Sequence, residues 1–430
     1  MDRDALIELI QPHNAAREAY LTADLDHLTT VLARSGRAAD DVVSALAEFS
    51  VAAPSWAVGT GGTRFGRFPG GGEPRTTEEK IDDVAALDAF TAANRTISLH
   101  VPWDRPADPA GLRQYAAARR IGFDAMNSNT FQDDPATTDG GRLSYKFGSF
   151  ASADPEVRDA AIRHNKEVVD LGAALGSKAL TIWLADGTSH PGQADHRTQF
   201  ERVAAGLREV HDHLPDGWRL FTEHKPYEPA FYATVNADWG SSLLLAEAAG
   251  PKAACLVDLG HHLPNTNVEQ VVSRLAMKGR LGGFHFNDAK YGDDDITTGS
   301  IKPYQLFLVF CELLWAGHGK LPPLAYMIDQ SHNLKDPLED LIQSTEAIAM
   351  AYAQALLVDR QALTYAQDHN DPALAQELLQ SAFRTDVRPL VAEARRQRGG
   401  AIDPLQAYRA SGYRQAVLAE RGSETVATGL

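Results

Sequence analysis

Cysteine is nearly absent. Two occur in 430 residues, Cys255 and Cys311, each inside an apolar run. This excludes a disulfide framework and a thiolate zinc site, and it fits a reducing compartment. Positive charge is also scarce: 41 Lys and Arg stand against 57 Asp and Glu, a formal net charge of −16. Nucleic acids and anionic membranes need a positive footprint, so neither is an expected partner. Long hydrophobic runs are missing, none approaching the roughly 18 uncharged apolar residues of a membrane span. The N-terminal MDRDALIELIQPHN is charged and reads as helix, with no apolar core of a signal peptide, so a cytoplasmic location is expected. The glycine-rich stretch from Gly59 to Gly72, GTGGTRFGRFPGGG, lacks the Gly-Lys-Ser/Thr ending of a phosphate-binding loop. It reads as a long flexible loop whose Phe65 and Phe68 could be laid over a site as a lid.

What the chain does have is alternation. Eight short apolar runs, among them TISLHV from Thr96, ALTIWLA from Ala179, WRLFTEH from Trp218, AACLVDLG from Ala253 and LGGFHFND from Leu281, read as buried parallel strands. Between them lie segments such as PEVRDAAIRHNKEVVDLGAALG, with apolar residues recurring at three and four as on a helix face. Strand and helix repeated eight times predict an α/β fold, a (β/α)8 TIM barrel. The expected organisation is an N-terminal helical segment over 1–50, a catalytic barrel over 51–358 and a C-terminal α-helical extension over 359–430. The tail of that extension, EARRQRGGAIDPLQAYRASGYR, is basic in an acidic chain. It is open between a solvated helical cap and a subunit contact.

In such a barrel the chemistry sits at the C-terminal ends of the strands. The first half of the chain offers rings there: Trp56, His100, Trp103, Phe131 and Trp183. The second half offers ionisable groups. Glu223, Asp258, His285 and Asp329 end four consecutive strands. That is more negative charge than ion pairing resolves, and a divalent cation neutralises it. Glu223 and Lys225 lie two apart and face one way, as a cation ligand and a holder of a substrate oxygen. A plain Glu–Lys ion pair is the competing account. In HFNDAKYGDDD, Asp293 and Asp295 share a face if the loop is extended, with Asp294 turned to solvent. With His261 and a bridging Glu223 they make a second cation site, while His262 reads as a supporting or surface residue. Oxygen and imidazole donors without thiolate favour Mn²⁺, Co²⁺ or Mg²⁺, with Zn²⁺ also compatible. Rings around a metal pair suit a ligand with an apolar C–H face and several hydroxyls, a monosaccharide. Core packing is the alternative for any single ring.

The stretches PSWAVGTGGTRFGRFPG, SLHVPWD, FDAMNSNTF, FTEHKPYEPAFY, LVDLGHHLPNTN, GGFHFNDAKYGDDD and MIDQSHN resemble the Pseudomonas-type L-rhamnose isomerases of the xylose-isomerase-like barrel superfamily. The resemblance runs from about residue 40 to the basic tail. It implies a homotetramer, two divalent ions, typically Mn²⁺, and aldose–ketose interconversion extending to rare sugars such as D-allose and D-psicose. It implies metal ligands at Glu223, Asp258, His261, His285, Asp293, Asp295 and Asp329. It also implies sugar contacts at Trp56, His100, Phe131, Trp183 and Lys225, and a Phe65 that reaches a neighbouring subunit's site. The catalytic set becomes His100, Lys225, Asp295 and Asp329, with His100 or Asp295 opening the ring. A metal-assisted hydride shift is the expected route, and an enediol formed by a side-chain base is its rival. The chain departs from the pattern in LLWAGHGKLPPLAYMIDQ, before the last strand. A metal-dependent phosphodiesterase or epimerase and a non-catalytic sugar-binding protein are the competing functions.

Overall fold

The short apolar runs form a closed parallel barrel in a computed structural model that describes residues 3–58, 70–330 and 334–424. Three helices, α1 (Arg3–Ala15), α2 (Glu18–Ala33) and α3 (Ala39–Glu48), precede the first strand. The strands are β1 (Ala53–Pro54), β2 (Thr96–Ser98, resuming at His100–Val101), β3 (Gly122–Phe123, resuming at Met126–Ser128), β4 (Ala179–Trp183), β5 (Arg219–Glu223), β6 (Ala253–Asp258), β7 (Leu281–Phe286) and β8 (Ala325–Ile328). All neighbours pair in parallel. The ring closes where Ala52 pairs with Met327: the Ala52 amide donates to the Tyr326 carbonyl at 2.8 Å, and the Ile328 amide to the Ala52 carbonyl at 3.0 Å. The runs TISLHV and FDAMNS, read as continuous strands, are each interrupted, at Leu99 and at Asp124–Ala125. Backbone bonds from Asp124 to Ile97 and from Asn127 to Leu99 carry the ladder past these breaks.

Outside the barrel lie α4 (Thr77–Thr91), α5 (Pro109–Ala118), α6 (Pro155–Leu175), α7 (His196–His213), α8 (Trp239–Ala249), α9 (Val268–Met277), α10 (Pro303–Ala316) and α11 (Pro337–Leu356), one after each strand. Their starts follow local chemistry. Asp154-Pro155 and Asp336-Pro337 each put an Asp carboxylate on the first free amides and a proline in the first turn, where no amide is needed. β6 is buried at all six residues because strand neighbours and helices cover both faces. Among the described residues no single helix is long and apolar enough to cross a membrane.

Five more helices follow: α12 (Arg360–Asp368), α13 (Pro372–Arg384), α14 (Arg388–Gln397), α15 (Pro404–Ser411) and α16 (Tyr413–Arg421). The basic tail is not a solvated cap. Arg395 is buried, with Glu346 and the Ala401 carbonyl as partners. Arg414 bonds Asp336 at 2.5 Å, and Arg421 bonds Asp83 at 2.8 Å with the Tyr413 hydroxyl donating to the same carboxylate at 2.6 Å. Arg395, Arg414 and Arg421 thus meet acids far away in sequence: Glu346 of α11, Asp336 at the cap of α11 and Asp83 of α4. Removing one partner of a buried pair leaves the other charge unmatched, at a cost of about 3–5 kcal/mol, whereas an exposed pair contributes about 1 kcal/mol or less. Arg421→Met is therefore expected to lower unfolding stability several-fold more than Arg409→Met, whose pair with Glu339 is solvent-facing. Equal losses in urea denaturation of the two variants would show that the buried pair has no special weight.

Candidate active site

β7 shows why the sequence folds as it does at the site. Its residues alternate: Phe284 and Phe286 turn outward, with Phe286 stacked on Phe310 of α10 at 5.8 Å, while His285 turns inward. Gly282 and Gly283 are required by close approach. A Cβ on Gly282 would lie 2.6 Å from the Phe221 ring, and one on Gly283 2.6 Å from the Ala325 carbonyl oxygen. Tight packing against β5 and β8 thereby sets where His285 stands. Register completes the placement, since Asp258 is level with His285 and Leu256 with Glu223.

The His285 Nδ1 atom faces three carboxylates at once. Glu223 Oε1 is 3.0 Å away, Asp329 Oδ2 3.1 Å and Asp258 Oδ2 3.7 Å. A single N–H cannot satisfy three acceptors. The four residues each offer one donor atom, all within 4.8 Å of one another. Donors about 2.1 Å from one ion stand about 3 Å or more apart, so the group fits a shared divalent cation. No arginine lines the cavity among the described residues. Burial disfavours charge on His285, yet Glu223 and Asp329 hold its pKa well above the ordinary value. Burial pushes Asp258 up to about 7, Asp329 and Glu223 adding repulsion that His261 offsets in part. Burial also works against Glu223, but His285 and His261 keep it well below the ordinary carboxylate range. Asn287 donates to both Asp258 oxygens, at 2.9 and 3.1 Å, and the Gly260 amide donates to one at 2.7 Å. Neither residue carries an obvious signal in the sequence, though Asn287 stands one residue beyond the strand.

A second group adjoins the first through Glu223. His261 places Nδ1 3.2 Å from Glu223 Oε1 and Nε2 3.1 Å from Asp293 Oδ1. The Asp293 and Asp295 carboxylates interact, although the loop is not extended as expected: Asp295 sits at φ +49°. Aspartate tolerates this left-handed conformation, which turns its side chain back toward Asp293. The expectation that Asp294 points to solvent is corrected. Its carboxylate accepts the amides of Lys290, Tyr291 and Gly292 and so builds the turn that presents its two neighbours. Lys225 Nζ lies 2.5 Å from Asp293 and 3.0 Å from Glu228. Glu228 is another site residue that the sequence reading passed over. His262 is half-buried and lies edge-on to His224 at 4.8 Å, on the outward side of these ligands.

The cavity above these groups has a volume of about 270 Å³ and is walled on one side by rings. Trp56, His100, Phe131 and Trp183 all line it. The rings touch in series: Trp56–His100 at 5.4 Å, His100–Phe131 at 5.5 Å and Phe131–Trp183 at 4.7 Å. The Trp56 indole N–H donates to Asp329 Oδ1 at 2.9 Å, joining the apolar wall to the carboxylates. Asp104 fixes the wall from behind, accepting the Ser55 hydroxyl at 2.5 Å, Lys80 at 2.6 Å and the His100 amide at 2.8 Å. Burial pulls the His100 imidazole down to about 4, so the ring is neutral near pH 7. Among the described residues its Nε2 is buried without a hydrogen-bond partner, and so is the Trp183 indole N–H. Of the residues predicted for the site, all but Asp258, Trp103 and the loop residues Phe65 and Phe68 line this one cavity, Trp103 packing against His100 and Phe131. Asp258 is buried just beneath, and Phe65 and Phe68 lie outside the described residues.

Residues 85–332 match the family described as xylose isomerase-like TIM barrel. The chain belongs to this family. It is 53% identical over 417 residues to a probable sugar isomerase of Rhizobium meliloti, with 96% of each chain covered. A probable sugar isomerase of Mesorhizobium japonicum is 52% identical over 425 residues, covering 98% of this chain and 97% of that one. A xylose isomerase of Thermus thermophilus is 29% identical over 169 residues, 36% of this chain and 43% of its own. Among solved structures, L-ribulose 3-epimerase superposes with a TM-score of 0.52 at 15% identity, covering 71% of this chain and 95% of that chain, a likeness of fold.

The imidazoles yield a pH prediction. In the absence of divalent ions, His261 and His285 have folded pKa values above the unfolded value of about 6.5. Their contribution to stability is complete below pH 6.5 and is lost as pH rises through the raised values. The chelated protein should therefore lose melting temperature as pH rises above about 6.5. Saturating Mn²⁺, which takes neutral imidazoles, should abolish that loss. A chelated melting temperature that is flat or rising across this range would contradict the assignment.

Proposed function

We propose that the protein is an aldose–ketose isomerase that interconverts L-rhamnose and L-rhamnulose and also accepts rare sugars such as D-allose and D-psicose. The observation that carries this reading is the His285 nitrogen faced by three carboxylates on the floor of a ring-walled cavity. Two relatives covering almost the whole chain, each a probable sugar isomerase, support it. Glu223, Asp258, His285 and Asp329 would hold one divalent ion. Glu223, His261, Asp293 and Asp295 would hold the other. Mn²⁺ is the favoured ion, with Co²⁺, Mg²⁺ and Zn²⁺ as alternatives. Such ions supply positive charge to the oxygens on C1 and C2 of the sugar.

The protein's own side chains do the rest. Trp56, Phe131 and Trp183 cover the C–H face of the sugar and exclude water. Lys225 holds a substrate oxygen from beside the Trp183 ring. His100, neutral and with an Nε2 that has no partner among the described residues, is placed to take or give a proton as the ring opens, with Asp295 as its counterpart. Once the chain is linear, hydrogen passes directly between C2 and C1, because nearly all the carboxylates over the cavity floor are committed to cations and Asp295 and His100 are needed for ring opening. The unpaired His100 Nε2 favours one alternative, an enediol with His100 as base. We assign the chemistry to residues 51–358, the flanking helices 1–50 and 359–430 acting as support and subunit contact. A homotetramer in which Phe65 approaches a neighbouring site completes the reading.

Incubation with L-rhamnose and Mn²⁺ should yield ketose, and chelation should abolish turnover. No ketose from any tested aldose, with ions bound, would sink the proposal. In D₂O, one turnover should leave little deuterium at C1 of the ketose. Close to one deuterium per product would establish the enediol route, and His100→Gln should then remove activity while leaving Mn²⁺ binding intact.

A further inference from the structure

Glu228 has no place in the account so far, and its surroundings give it one. Its carboxylate lies 3.0 Å from Lys225 Nζ, and its backbone sits at φ +71°, a region that side chains other than Gly, Asn and Asp seldom occupy. Strain of this kind persists where the surrounding structure imposes it, and it gathers at functional sites. Lys225 has at least three contacts at once. Its ammonium contacts Glu228, contacts Asp293 at 2.5 Å and lies 5.0 Å over the Trp183 ring, with its side chain only 4% exposed. Asp293 meanwhile meets His261 with its other oxygen, at 3.1 Å.

An ammonium and a divalent ion repel, and both seek the Asp293 carboxylate. When an ion binds there, Lys225 must loosen its hold on Asp293. A lysine so nearly sealed from water cannot simply be left without a counter-charge. We propose that Glu228 is a positioning residue that takes over the Lys225 ammonium when a divalent cation occupies the Asp293 side of the cavity. The inference rests on reading Glu223, His261, Asp293 and Asp295 as cation ligands. The handover does two things: it clears Asp293 for the ion and keeps Lys225 aimed at the substrate. Without Glu228, Lys225 stays on Asp293 and competes with the ion.

The test is a titration of the metal-free full chain with Mn²⁺ alone, free ion being read by electron paramagnetic resonance. It compares wild type, E228Q, K225M and the double variant, with thermal melts to verify folding and K225Q in reserve should K225M not fold. Wild type should take up two ions per chain. E228Q should weaken the second about tenfold. K225M should remove that dependence, so that the double variant binds as K225M does. A loss of simple through-space charge would instead weaken binding by the same factor with or without Lys225, and that additive result would overturn the proposal. So would an E228Q titration that matches wild type. Uptake of fewer than two ions by the wild type would overturn the cation reading itself, and the inference with it.

Discussion

Mutual repulsion among buried carboxylates governs this molecule. Glu223, Asp258 and Asp329 come from different strands, yet they converge on a single imidazole nitrogen. Two unit charges 4 Å apart repel by about 4 kcal/mol even at an effective dielectric constant of about 20. A fold gains nothing from holding three acids at that range unless something positive belongs between them. The neighbouring Asp293 and Asp295 repeat the arrangement, and among the described residues Lys225, His261 and His285 do not match six acids once Glu228 is counted. The donor set fits divalent cations for this reason, and the ring-lined cavity above then fits a sugar.

The scaffold is organised to hold that repulsion. Outward Phe286 anchors β7 against α10 and Phe284 stacks on Tyr326 of β8, and glycines let β5, β7 and β8 close up beneath His285. Asn287 and the Gly260 amide fix Asp258, while Trp56 ties Asp329 to the ring wall. Farther out, Asp336 shows how the C-terminal extension contributes. It caps α11, the helix after β8, and also receives Tyr408 and Arg414 from the extension. A charge-paired extension thus packs behind the segment that carries Asp329.

Much of this was legible in the sequence, for a physical reason. A parallel barrel buries both faces of every strand, so each strand is an apolar run and any ionisable residue at its end stands out. Glu223, Asp258, His285 and Asp329 were visible in that way. Residues whose role depends on loop conformation were not. Asp294 looks like its neighbours in an acidic triplet, and only the turn it builds distinguishes it. Glu228 and Asn287 are ordinary polar residues until a fold sets them against Lys225 and Asp258. The breaks in β2 and β3 escaped because their backbone bonds continue across an interruption that periodicity does not register. The intramolecular pairing of the basic C-terminal region escaped for a related reason, since its acidic partners Asp83 and Asp336 lie far away in sequence.

The central claim is that cations, not shared protons, neutralise the acids of the barrel mouth. Anomalous diffraction from crystals soaked in MnCl₂, recorded at the manganese edge, tests this most directly. The account predicts one peak bounded by Glu223, Asp258, His285 and Asp329, and a second bounded by Glu223, His261, Asp293 and Asp295. A cavity with no peak at saturating Mn²⁺, and His285 still seated on the carboxylates, would contradict it.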